Sequence, residues 1–178
     1  MEYVIFHEKC ASFSLAMESV ILQKAHVETF FKDMGVSSPR ELDFKALAAS
    51  NSAKLLYVPR KSHAITICRN DGSIEHICVV NSKEKQDVQR VHASREIAHT
   101  FLHAGSQTKM VDIFRVFQEP QVIQLAGHIF APSFLLREYF KWISPCSDDC
   151  VEFLANEFCV TREAMRQRIN DFLLRTFF

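Results

Sequence analysis

Apolar positions fall at helical spacing over the first part of the chain. Leu15, Val20, Ile21, Ala25, Val27 and Phe30–Phe31 predict a helix from about Ala11 to Met34, stopped by Gly35. Ser38 and Pro39 then open a short second helix, Ser38 as its N-cap and Pro39 in its first turn, with Phe44, Leu47 and Ala48 on the apolar face. Three strand-like runs follow, Lys54–Val58, Ala64–Cys68 and Ile74–Val80. The last two flank Asn70-Asp71-Gly72-Ser73, a hairpin turn in which Asp-Gly supplies positive φ.

From there the period is helical throughout. Asp87 to His103 predicts one long helix closed by Ala104-Gly105. Pro120 marks the start of another, and Gln121 to Trp142 continues it past Pro132 until Ser144-Pro145 breaks it. A helix from about Asp149 to Phe158, a turn at Cys159-Val160 and a last helix from Arg162, capped by Thr161, complete the chain. This order predicts an α+β fold, mostly helical, with a small antiparallel sheet. No linker or repeat divides it, so 1–178 is expected to be one domain, a core over 1–143 closed by a helix pair over 144–178.

Composition narrows the class of protein. Its 178 residues suit one domain with a full core, and 48% hydrophobic with 24% charged residues is ordinary for a globular chain. Sixteen Phe against four Gly predict an aromatic-rich, element-dense interior. Lys+Arg and Asp+Glu balance at 21 each, which argues against bulk electrostatic binding to nucleic acid or an anionic membrane. No apolar run reaches membrane-span length, and Met1-Glu2-Tyr3-Val4 opens without a basic leader, so a cytoplasmic protein is expected. Six cysteines (Cys10, Cys68, Cys78, Cys146, Cys150, Cys159) form no Cys-x-x-Cys pair and read as reduced, structural thiols.

The stretch that carries chemistry is Arg95-Glu96-Ile97-Ala98-His99 within the long helix. On a helix, a His-Glu-x-x-His motif presents two imidazoles to one zinc, with the glutamate as general base on the bound water. Arginine is always protonated and cannot ligate, so half of that pair is absent. Around it stand Arg90 upstream, Leu102-His103 downstream and Val80-Asn81 at the end of the preceding hairpin. Gln124-Leu125-Ala126-Gly127-His128-Ile129-Phe130-Ala131-Pro132-Ser133-Phe134-Leu135-Leu136 follows on the next helix, and Leu154 to Met165 near the end.

Taken in order, these pieces resemble the ImmA/IrrE family of zincin-type metallopeptidases over about residues 12 to 172. The resemblance implies a zincin-like fold whose metal positions are Arg95, His99 and Gln124, and whose general-base position is Glu96. Two of three ligand positions are lost. The losses are coherent, because an added arginine and a deleted carboxylate together replace the +2 of a metal ion. Arg95 or His99 is then expected to pair with Glu96.

The resemblance further implies a regulatory pseudo-peptidase, without cofactor, that binds a protein such as a helix-turn-helix repressor, often of phage or mobile-element origin. An alternative is an active metallo-endopeptidase with a rewired zinc site. His92, Glu96, His99 and His103 form one stripe, and His99 with His103, four apart, would hold zinc together with His128. Glu119, five residues from Gln124, lies well off that residue's face. A second alternative is a DNA-binding regulator acting through Arg162, Arg166 and Arg168, which sit on the second helix of a helix-turn-helix-like tail. His63, His76 and Cys78, flanking the hairpin, read as strand-surface residues.

Overall fold

The computed structural model describes residues 19–102, 112–144 and 147–176, with the side chains of 112–117, 175 and 176 outside the description. The first helix, α1, covers 19–33 of these and ends at Gly35, whose φ of +74° lies in the left-handed region that glycine adopts without strain. The short second helix divides in two. Pro39–Glu41 forms a single 3₁₀ turn, where Glu41 reaches back to the backbone N–H of Ser37 (2.7 Å) and of Ser38 (3.2 Å). A separate α2, Phe44–Ser50, follows with Asp43 as its cap, accepting from the N–H groups of Lys45 and Ala46 at 2.9 and 3.0 Å.

Three strands form one sheet in the order β1-β3-β2, where β1 is Ala53–Val58, β2 His63–Cys68 and β3 Ile74–Asn81. The β2–β3 hairpin is antiparallel and turns at Gly72, φ +81°, with Asp71 accepting from the N–H of Ser73 at 2.9 Å. β1 corrects the expectation of an antiparallel sheet, because it pairs parallel to β3, with Ala53 opposite His76 and Val58 opposite Asn81. The sheet is mixed. The connection 59–62 crosses the end of β3 rather than folding back beside β1. Four residues span about 13 Å, and the two strand spacings to be crossed come to about 9.5 Å. The crossing is held by Ser82 N–H on the Val58 carbonyl (2.9 Å) and Asn81 N–H on the Ser62 hydroxyl (3.0 Å).

Helix α3, Gln86–Leu102, packs on all three strands and runs along α4, Asp112–Phe130. His103 and Ala104-Gly105 lie outside the described residues. Helix α4 begins eight residues before the proline expected to start it, so Pro120 lies inside the helix on an exposed face. A proline there removes one backbone hydrogen bond, and the helix continues because its later turns are anchored in the core by Val122, Leu125, Ala126 and Ile129. Pro132 then separates α4 from α5, Ser133–Tyr139, as that helix's N-cap.

Helices α6, Asp148–Phe158, and α7, Arg162–Thr176, close the chain. Cys159 turns between them in the left-handed region at φ +52°. The Thr161 hydroxyl accepts from the N–H of Ala164 at 3.3 Å. One continuous cluster of buried side chains joins Val27 and Phe31 of α1, Cys78 and Val80 of β3, Ile97 of α3, Leu125 of α4, and Leu154, Phe158, Met165 and Ile169 of the final pair. No described helix is long and apolar enough to cross a membrane.

Candidate functional site

Helix α3 is fixed to the 3₁₀ turn and to α2 by an arginine. Arg90 donates to the Pro39 carbonyl at 2.9 Å and lies over the Phe44 ring, 4.4 Å from its centroid. Five residues later comes the motif. Arg95 and His99 share a face, and Glu96 turns inward beside them. His99 and Glu96 are 4% and 5% exposed.

Arg95 does not pair with Glu96, contrary to expectation. Its guanidinium forms an ion pair with Glu119 on the first half of α4. The other oxygen of the same carboxylate lies 3.9 Å from His99 Nε2. Glu119 reaches them because α4 starts before Pro120 and carries this residue along α3. Glu96 is left with one buried carboxylate oxygen, Oε2, that has no hydrogen-bond partner among the described residues. Burial pushes its carboxyl up to about 7, Arg95 pulling it down and Glu119 raising it further.

Gln124, the other position at which the resemblance implies a lost ligand, is also engaged. Gln124 Oε1 accepts a hydrogen bond at 3.2 Å from the ammonium of Lys24, a lysine of α1 only 6% exposed. One turn along the same pair of helices, Glu28 of α1 meets His128 of α4 at 3.0 Å. The matched steps 24–28 and 124–128 show that α1 and α4 run parallel here. Glu28 also accepts from the N–H groups of Ser133 (2.5 Å) and Phe134 (3.3 Å). Burial acts to raise the Glu28 carboxyl, but the hydrogen bonds from His128 and Ser133 outweigh it and hold it at about 2. Burial pushes His128 down to about 4, against the upward pull of Glu28. His128 is therefore a neutral ring at neutral pH, its Nδ1 facing Glu28 and its Nε2 3.8 Å from Asp171.

These arrangements bear on zinc through the chemistry of the donors. Arg95 cannot ligate, its charge already occupies Glu119, and the Gln124 carbonyl oxygen holds an ammonium. Of the three positions that the resemblance implies, only His99 carries a side chain suited to a divalent ion. Of the rewired set, His99 and His128 face Glu119 and Glu28 respectively, and His103 lies outside the described residues. Among the described residues, no group of three or more His, Cys, Asp or Glu is placed to hold a metal.

Between α3, α4 and α7 lies a groove of about 680 Å³. Val91, Ile123 and Phe130 give it an apolar floor, and Arg95, Gln124 and Gln167 border it. The arginines of the tail divide by environment. Arg168 is buried, 3% exposed, and donates to the Ala131 carbonyl and the Ser133 hydroxyl, both at 2.9 Å. Arg162 and Arg166 lie at the surface beside Asp148, at 3.5 and 2.8 Å. None of the three presents a free row of cations to a phosphate backbone. Near the hairpin, His63 meets the Lys61 carbonyl (2.7 Å), His76 meets Thr66 (3.1 Å), and Cys78 is buried with its thiol pushed up to about 12. No family model, no curated protein and no solved structure matches the chain.

Lys24 and Glu28 do not stand out in the linear pattern, and that pattern sets Glu119 aside for lying five residues from Gln124. A signal for the first two exists. Lys24 and Glu28 are four apart on α1, Gln124 and His128 four apart on α4, so two polar pairs of equal spacing sit on otherwise apolar helices.

Proposed function

We propose that the chain is a metal-free relative of the ImmA/IrrE peptidases that acts by holding a protein partner rather than by cleaving one. A helix-turn-helix repressor is the partner class the resemblance implies. The observation that carries this reading is the pairing of Arg95 with Glu119, joined by Lys24 on Gln124. Two fixed organic cations, Arg95 and Lys24, occupy the side-chain oxygens of Glu119 and Gln124 on α4. The groove bordered by Arg95 and Gln124 remains open to a partner side chain or helix, and its volume lies within the range of ordinary ligand pockets.

Glu96 keeps the place of a general base, but burial pushes its carboxyl up to about 7, so that about half of it is protonated at neutral pH. The reading is tested by elemental analysis of the purified protein together with incubation against helix-turn-helix repressors encoded beside its gene. Saturable binding, an intact repressor and no stoichiometric zinc are expected. One tightly held zinc per chain, or metal-dependent cleavage of a repressor, would overturn it.

A further inference from the structure

We infer that Glu119, not Gln124, is the α4 side chain that faces the motif on α3, and that Arg95 stands there as a fixed cation in place of a metal ion. The inference rests on the metal-free reading above and adds to it the identity of the third donor. Its basis is a convergence of three groups from two helices. One Glu119 oxygen binds the Arg95 guanidinium and the other lies 3.9 Å from His99 Nε2. Zinc–nitrogen and zinc–oxygen bonds near 2.1 Å put two tetrahedral ligands about 3.4 Å apart, so His99 and Glu119 stand within a small side-chain adjustment of sharing an ion. Position 95 lies one turn before His99 on the same face, where an imidazole would complete a two-histidine, one-carboxylate set.

Gln124 is differently placed. Its oxygen holds the buried Lys24 ammonium. A carboxylate placed there would be drawn to that lysine on α1, whereas the two oxygens of Glu119 already lie toward Arg95 and His99 on α3. The chain therefore carries a latent site one substitution from completion, and the substitution that matters is at Arg95.

Zinc titration by calorimetry on folded chains tests this, with far-UV circular dichroism confirming each fold. Arg95→His is expected to take up one zinc per chain where the wild type takes up none. Adding Glu119→Gln should weaken that binding by more than the roughly 10- to 100-fold typical of changes outside the ligand shell. Adding Gln124→Glu instead should leave the affinity of Arg95→His within about threefold, well below that range. A folded Arg95→His chain that ignores zinc overturns the inference. If Arg95→His with Gln124→Glu then binds, the donor is position 124, and the metal-free reading survives. If that double variant stays metal-free as well, the motif's descent from a zinc site falls too. Zinc uptake by the wild type would overturn the metal-free reading itself.

Discussion

At the scale of single residues, the geometry around Gly127 shows how tightly α7 is set against α4. A Cβ at this glycine would lie 2.8 Å from Cδ of Arg168. That side chain cannot swing away freely, because it is buried and donates to Ala131 and Ser133. Gly127→Ala should therefore destabilise the protein by about 1–3 kcal/mol, the cost of overpacking, although alanine is the better helix former by about 1 kcal/mol. In an Arg168→Ala background the clash is gone, and the same change should be neutral or stabilising. Urea unfolding of the four chains measures both; equal cost in the two backgrounds would refute the account. Residues of this kind were only half legible in sequence. Arg168 read as one of three arginines on a terminal helix, and nothing in its spacing said that a glycine 41 positions earlier made room for it.

At the scale of elements, the hydrophobic period located most helices and strands to within a residue or two, because each buries one face. It failed where long-range geometry decides. The sheet was expected to be antiparallel, yet the short 59–62 crossing carries the chain over β3 and makes the β1 pairing parallel. Pro120 was read as a start signal, since proline favours the first turn, whereas α4 starts at Asp112. In sequence Glu119, the residue just before it, is therefore weighed only by its offset from Gln124 and set aside. Because Pro120 is exposed inside a helix, Pro120→Ala should restore a backbone hydrogen bond without disturbing the core. A stabilisation on the order of 1–3 kcal/mol is expected, read as a higher melting temperature. An unchanged or lower value would mean that α4 is bent there to fit α3. The final helix pair invites a harsher test. Val151, Leu154, Phe158, Met165 and Ile169 belong to the same buried cluster as α1 and α3. A chain ended at Ile143 would expose that cluster, so it should fail to fold cooperatively; a sharp two-state melt of the truncated chain would show the core to be separable.

At the scale of the whole molecule, two buried groups with opposite titrations govern how stability follows pH. His128 falls from 6.5 to about 4 in the folded protein, so the unfolded chain binds the extra proton between those values and stability is lost as pH falls through 6.5. Glu96 rises from 4.5 to about 7, so the folded protein binds the extra proton and stability is lost as pH rises from 4.5 to 7. Each displacement amounts to about 3 kcal/mol at about 1.4 kcal/mol per pH unit. Over the shared window, about pH 4.5 to 6.5, the two slopes cancel. Below 4.5, Glu28, held at about 2, adds a loss that nothing offsets, and the protein should unfold in acid. Glu96→Gln removes one side of the balance. Denaturant unfolding of that variant should match the wild type near pH 4.5 and exceed it by about 3 kcal/mol near pH 8. The wild-type profile should be nearly flat across the same window. Parallel curves for the two proteins would show that Glu96 is ionised in the fold at neutral pH. The pocket on α3 would then hold a true carboxylate facing Arg95, and the charge balance drawn for this site would have to be built on that instead.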